Sequence, residues 1–305
     1  MNAPVITDRR KWIGGSDASV VLGINPWRTR LDLWRDKVQP AMPENVDPDR
    51  VRVLERGKRM EPYIVDLLAA ETGLAILARN ERYIDPEFNF LAAEIDAEAL
   101  LSERNERVNV EIKTVSPFKA KDWGELGSDE IPVYYTAQAQ HGLMVTARAL
   151  CIFGVLIGGD DFRIYRVERD DEIIAAMRAR EVAFWREHVE TMTPPPASTP
   201  GDVDSLFRRD AGTSIEATPE IVTALNELRA LQAEQAAVEA RAEGVKSAIK
   251  AHMGEAARLT WHGRDVATWK TQQAKRFDQR AFQAANADLF DQFIRLTESR
   301  VFRLR

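Results

Sequence analysis

The 305-residue sequence contains a single cysteine, Cys151. That count excludes an internal disulfide and any zinc or iron–sulfur site built from several thiolates. No stretch approaches the roughly 18 to 20 consecutive apolar residues that span a bilayer. Met1 to Arg10 has no apolar run of the secretory kind, so a cytoplasmic protein with no membrane partner is expected. No internal repeat is present, which argues against a solenoid or propeller. Positive charge is in the minority, with 42 Lys and Arg against 48 Asp and Glu and a formal net charge of −6. This argues against a protein that coats nucleic acid through bulk charge. It leaves room for a local basic groove, because residues 1–60 carry twelve Lys/Arg against eight Asp/Glu.

What is present suffices for a large core, since 45% of the residues are apolar. The length points to one large domain and a smaller one. The break falls at Thr193-Pro194-Pro195-Pro196, where a helix cannot continue. The expected organisation is a main domain over 1–192, a Pro-rich linker over 193–217, and a long helix with a small α+β tail over 218–305.

The chemistry centres on Val108-Asn109-Val110-Glu111-Ile112-Lys113-Thr114. Read as a strand, it sends Glu111 and Lys113 to one face and Val110 and Ile112 to the other. Upstream, a strand over 90–100 sends Glu94, Asp96 and Glu98 to one face, and a hairpin through 102–107 can bring Asp96 alongside Glu111. Carboxylates crowded in this way raise each other's pKa unless a cation neutralises them. The pattern therefore favours a divalent metal and a metal-activated water over a bare acid pair.

The flanks supply further candidates. Arg9-Arg10-Lys11 precedes Gly14-Gly15-Ser16-Asp17, which reads as a helix start with Ser16 or Asp17 as cap and Gly23 as its end. Free N–H groups there suit a phosphate, and an ordinary capped helix would have the same sequence. Residues 39–49 read as a loop. A helix from about Asp49 to Met60 is followed by Glu61-Pro62 and a second helix to about Glu71. Strands are expected over 74–78 and 81–84. Phe118 to Gly124, with Lys119, Lys121 and Trp123, reads either as a nucleic-acid path or as a surface loop with one anchoring tryptophan. A helix over 133–147 carries Gln138 and His141. Strands over 149–157 and 162–167 and an amphipathic helix over 171–190 follow. In the C-terminal part, a helix from Pro219 to Met253 capped by Thr218 has an apolar seam with a period near 3.5 to 3.6, diluted by Gln235 and Ala242. That helix fits a helical hairpin, an oligomer contact or an arm. A hairpin around Trp261 to Val266, two short helices and a final strand complete the chain.

Taken in order, Arg9 with Ile13-Gly14-Gly15-Ser16-Asp17, Gly57-Lys58-Arg59-Met60-Glu61-Pro62, the Asp96 strand, Glu111-Ile112-Lys113-Thr114 and Tyr135-Thr136-Ala137-Gln138-Ala139-Gln140-His141 resemble the YqaJ-type viral recombinases, the bacteriophage lambda exonuclease family. The resemblance spans about residues 9 to 190; residues 220–305, ending in Leu296 to Arg303, are similar to tails attached to some phage members. It implies an α/β fold with a PD-(D/E)XK, restriction-endonuclease-like core, a mixed sheet flanked by helices. It implies Mg²⁺-dependent digestion of linear duplex DNA from 5′ ends, with Mn²⁺ able to substitute, in a bacterial host cytoplasm. The product would be a 3′ single strand for a single-strand annealing protein. Asp96, Glu111, the Ile112 carbonyl and Glu61 would hold the metal. Lys113 would orient and help deprotonate the water, and Gln138 would complete the catalytic set. Arg9 and Ser16 would contact the 5′-phosphate, with Lys119 and Lys121 on the DNA. A homo-oligomeric ring, a trimer in family members, is also implied. Ala97 stands where the family has Gly, and the Asp96-to-Glu111 interval is short. The alternatives are a catalytically weak DNA-end-binding or recombination scaffold of the same fold, and an assembly protein acting through the long helix.

Overall fold

The structure is a computed structural model that describes residues 8–39, 48–102, 104–296 and 298–304. Most of the loop read at 39–49, and residues 1–7 of the lead-in, lie outside the described residues. Two compact units emerge, Met1–Leu206 and Phe207–Arg305.

The first unit is built on a five-stranded sheet in the order β1 (Ala75–Ile84), β2 (Ala92–Leu101), β3 (Glu106–Val115), β4 (Leu150–Ile157) and β5 (Asp161–Glu168). All neighbours are antiparallel except β3 and β4, which are parallel. Parallel neighbours need a crossover, and helix α4 (Val133–Thr146) lies in it. All eight residues of β4 are buried, as an apolar strand covered on both faces should be. On one face, α4, α1 (Gly15–Val21) and α5 (Asp171–Phe184) pack Val20, Leu143 and Ile174 into a cluster with Cys151, Phe153 and Val155. On the other, Ile64, Val65 and Leu68 of α3 (Pro48–Thr72) meet Ala97, Val110 and Ile152. This is the mixed α/β core expected from the sequence.

Several local readings change. Helix α1 is capped by Gly14, and Asp17 sits three residues on and accepts the Gly14 N–H at 3.2 Å. The reach of that side chain makes Asp17 a partner of the cap rather than the cap itself. The two short strands before Ile84 are one strand, β1, which absorbs a register shift between Ile76 and Ala78 and a positive φ of 54° at Asn80. The two helices flanking Glu61 are one, with Pro62 inside α3. Packing of Ile64 and Leu68 against the sheet holds the helix through the missing N–H.

Helix α2 (Arg30–Val38) begins with a reciprocal cap, Thr29 Oγ1 accepting the Asp32 N–H and Asp32 accepting that of Thr29. Within the segment read as a linker, α6 (Pro200–Leu206) folds against this helix. Thr29 Oγ1 donates to Asp202 at 2.7 Å, and Arg35 donates to Ser205 Oγ at 2.9 Å. Asp202 also accepts the N–H groups of Ser198 and Thr199, so the first unit extends to Leu206 rather than ending at the prolines.

In the second unit, α7 (Pro219–Met253) is capped by Thr218. Strands β6 (Arg258–Trp261) and β7 (Arg264–Thr268) form a hairpin turning through His262 and Gly263, both at positive φ as a tight primed turn requires. Helices α8 (Gln279–Ala285) and α9 (Ala287–Gln292) follow. The expected final strand is absent among the described residues. There Glu298 pairs with Arg209 and Arg300 donates to the Phe207 carbonyl, and neither contact is a strand ladder.

The helical face of the first unit is locked by a buried pair. His141 Nδ1 donates to Glu181 at 2.9 Å and Nε2 donates to the Ala92 carbonyl at 2.9 Å, with both side chains fully buried. Both ring nitrogens face acceptors, so the ring is an imidazolium. Burial opposes that charge, but Glu181 outweighs it and His141 is raised above its usual pKa. A raised folded pKa contributes stability that is complete below about 6.5 and is lost as pH rises through the folded value. His141→Gln should therefore abolish this alkaline loss and destabilise the fold by about 3–5 kcal/mol near neutrality. Urea midpoints measured from pH 6 to 9 test this; a wild-type-like slope in the variant contradicts it.

Candidate active site

Strands β2 and β3 pair in register up to Ala97 opposite Val110. Just beyond, the Asp96 carboxylate rather than a main-chain carbonyl takes the Ile112 N–H, at 2.7 Å. This substitution lets the two strands part around their acidic residues. Glu111 is 4% exposed. Its Oε2 accepts from Lys113 Nζ at 3.0 Å and from Gln138 Nε2 at 2.7 Å. The Lys113 ammonium also lies 5.2 Å from the centre of the Tyr135 ring. Glu61, half-buried on α3, lies within electrostatic reach of Asp96 and Lys113. Glu61, Asp96, Glu111, Lys113 and Gln138 thus meet at one place from α3, β2, β3 and α4.

The charge balance there is negative. Burial pushes the Glu111 carboxyl up to about 7, with Asp96 and Glu61 acting in the same direction and Lys113 opposing. Glu61 is raised by burial and by Asp96. Burial pushes Lys113 down, but Glu111 and Asp96 outweigh it and hold the side chain as an ammonium. All three groups are driven toward their more positive form, as expected where carboxylates outnumber cations.

No three His, Cys, Asp or Glu side chains among the described residues converge as a ready cation cage. The chemistry of the donors still fits a hard divalent cation. They are all oxygen, they carry excess negative charge, and they sit beside a main-chain carbonyl at Ile112.

The other acids of β2 are committed elsewhere. Glu94 pairs with Arg9 at 3.4 Å and lies 3.9 Å from Arg82. Glu98 is buried among Tyr83, Arg107 and Arg148; Arg107 donates to it at 2.6 Å, and these contacts depress its pKa against the effect of burial. Asp96 is therefore the acid of this strand that faces the Glu111 cluster.

The N-terminal segment crosses the same neighbourhood. A Cβ added at Gly15 would lie 3.1 Å from Gln138 Cγ and 3.2 Å from the Gln138 carbonyl, so any larger residue there would push on α4 by a few tenths of an ångström. Arg9 Nη2 donates to Ser16 Oγ at 3.1 Å, and both side chains reach solvent. Beneath them, buried Lys37 donates to Asp17 at 2.8 Å and to the carbonyls of Arg9 and Trp12 at 2.8 and 2.6 Å. Arg9 and Arg28 each approach Asp17 at 3.9 Å. The sequence signal for the Lys37–Asp17 pair is the acid at the helix start, which an ordinary helix cap would share.

Lys119 and Lys121 lie on an exposed 3₁₀ turn, Pro117–Asp122, next to Phe118, which is 89% exposed. Lys119 pairs with Asp122 at 3.4 Å. Trp123 is buried between Tyr135 and Tyr165, so it anchors this loop. Trp34 is tied through its Nε1 to the His188 carbonyl, whereas Trp27 is 63% exposed with Tyr134 against its ring.

Comparison with known proteins gives the following similarities. The curated protein "Uncharacterized protein YqaJ" of Bacillus subtilis (strain 168) is 27% identical over 307 residues, covering 98% of this chain and 93% of that protein. Among solved structures, the alkaline exonuclease LHK-Exo of Laribacter hongkongensis is similar over 61% of this chain and 91% of that one, at 18% identity and a TM-score of 0.46. The same enzyme in complex with dAMP has a TM-score of 0.47 at 19% identity, with the same coverage. A phage-related exonuclease from Haemophilus somnus 129PT is similar over 60% of this chain and 95% of that one, at 14% identity and a TM-score of 0.41. The model of the YqaJ-like viral recombinase domain matches residues 6–149, a span holding every candidate residue from Arg9 to Gln138. Over residues 6–149 this chain is therefore similar to the YqaJ-like viral recombinase domain.

Proposed function

We propose that the protein is a metal-dependent 5′–3′ exonuclease on linear duplex DNA, leaving 3′ single strands for phage-type recombination by strand annealing. The observation that carries this reading is Glu111, buried and held by both Lys113 and Gln138, with Asp96 beside it on the main chain of β3. Asp96, Glu111, the Ile112 carbonyl and Glu61 would hold Mg²⁺, or Mn²⁺ in its place. When bound, the ion supplies an acidified water and charge neutralisation at the scissile phosphate.

The chain's own groups do the rest. Gln138 fixes the Glu111 carboxylate through one oxygen. Lys113, kept as an ammonium by its neighbours, orients the attacking water and donates to the phosphate oxygen on which charge grows. Beside the Glu111 carboxylate it is a donor rather than a base. Arg9 and Ser16 lie at the surface where a 5′-phosphate would be received, supported from below by Lys37. Lys119 and Lys121 offer charge to the DNA backbone.

Two measurements test this reading. With Mg²⁺ and linear duplex bearing a labelled 5′-phosphate, wild type should release label and closed circular DNA should resist. Lys113→Ala and Glu111→Ala should lose roughly 10²–10⁴-fold in rate with unchanged far-UV circular dichroism. Arg9→Ala should narrow the preference for phosphorylated over hydroxyl 5′ ends. Equal rates in the Glu111 variant would contradict the assignment, and absence of turnover by wild type would favour the end-binding scaffold.

The second measurement concerns metal affinity. Because Glu111 holds its proton up to about 7, Mg²⁺ should raise Tm more at pH 8 than at pH 6. The metal-free protein should lose stability as pH rises from about 4.3 to 7, as a raised carboxylate pKa requires. Equal metal-induced Tm shifts at both pH values would contradict this.

A further inference from the structure

Helix α7 runs 35 residues with only Met253 buried. Its apolar members are laid open: Ile221 is 53% exposed, Leu231 54%, Val238 61% and Val245 57%. A helix gains most of its stability from packing an apolar face, so this face needs a partner. From Ile221 to Ile249 the seam, counted through Ala224 and Ala242, advances by alternating steps of three and four residues with Leu225 at the flanking e position, the spacing of a two-helix coiled coil. With Ile221 at position a, Leu228 and Ile249 also fall at a, and Leu231, Val238 and Val245 fall at d. Gln235 is the single polar seam residue, at a.

The flanking charges select the partner and its direction. Glu227, Glu234 and Arg241 fall at g, and Glu239 and Lys246 fall at e. In a parallel pair of identical helices, Glu234 would face the partner's Glu239, and Arg241 would face the partner's Lys246. Both contacts are repulsive. In an antiparallel pair, g faces g. With Gln235 opposite the partner's Val238, Glu234 faces the partner's Arg241, and the symmetry repeats the pair. Sliding by one heptad in either direction sets Glu234 against its own copy or Arg241 against its own copy. Glu227 faces the partner's Arg241 only in the slipped register that also sets Glu234 against its own copy. One antiparallel register therefore carries attraction without a like-charge contact.

Shape agrees with charge. The second half of α7 borders an apolar groove of ≈ 790 Å³, lined by Ala242, Val245, Ile249 and Met253 of the helix, by Ala267 of β7 and by Trp269 just after it. The favoured register brings the partner's Leu231 opposite Ala242 and the partner's Leu228 opposite Val245. The bulky half of one helix thus meets the grooved half of the other, as a self-complementary two-fold contact requires.

We infer that α7 is a self-association surface whose occupant is α7 of a second copy of this chain, packed antiparallel with Glu234 on the partner's Arg241. This is separate from the nuclease reading and from any assembly made by the first unit. Sedimentation velocity of the full-length chain over a range of concentrations tests it. Val238→Glu, at an exposed site, should remove one association step while leaving helicity intact. Glu234→Arg or Arg241→Glu should each weaken that step by roughly tenfold, and the two together should restore it. Mixing Leu231→Cys chains with Ala242→Cys chains should give a mixed disulfide under oxidation that neither variant forms alone. Identical sedimentation of wild type and Val238→Glu would overturn the inference. Stronger association in Glu234→Arg would indicate a parallel pair and overturn it equally.

Discussion

The first unit is organised around a buried carboxylate that is short of positive charge. Glu111 is 4% exposed and shares its surroundings with Asp96 and Glu61, against one ammonium at Lys113. Burying an ion without full compensation is costly, and here the cost is met only in part, by Lys113 and the Gln138 amide on a single oxygen. A site with this imbalance takes up a proton or a cation. The sheet produces it by ending the β2–β3 ladder one residue before Asp96 and letting that side chain cap the Ile112 N–H.

The surrounding fold serves to bring separate elements to that point. Helix α4, in the crossover that joins the parallel strands, delivers Gln138. One turn further along, the helix is fixed by the His141–Glu181 pair to α5 and by His141 to β2. Helix α1 comes close to α4 at Gly15, where a side chain would crowd Gln138. Lys37 holds the Arg9 and Trp12 carbonyls from below, which sets where the Arg9 guanidinium emerges beside Ser16. The arrangement couples an acidic centre to a cationic rim through packed, hydrogen-bonded segments.

Much of this was legible because the informative features repeat at short range. Alternation along β2 and β3 put Asp96, Glu111 and Lys113 on one face, and the uninterrupted apolar run of β4 marked a strand covered on both faces. Thr218 and Pro219 announced the start of α7. What escaped the sequence depended on contacts far along the chain. Asp17 looked like a cap until Lys37 was seen beneath it, and His141 looked like one more polar residue on a helix until Glu181 arrived from 40 positions away. Glu94 and Glu98 seemed equal to Asp96 until arginines from distant segments claimed them. The unbroken course of α3 through Pro62 and the folding of α6 onto α2 are likewise tertiary effects overriding local signals.

The central claim is that the excess negative charge at Glu111 is a divalent-cation site. A crystal grown with Mn²⁺ and analysed by anomalous scattering at neutral to mildly alkaline pH tests it most directly. The account predicts an anomalous peak within coordination distance of Asp96, Glu111 and the Ile112 carbonyl, lost in Glu111→Ala. Ordered Mn²⁺ elsewhere on the protein with none at these three groups would contradict it.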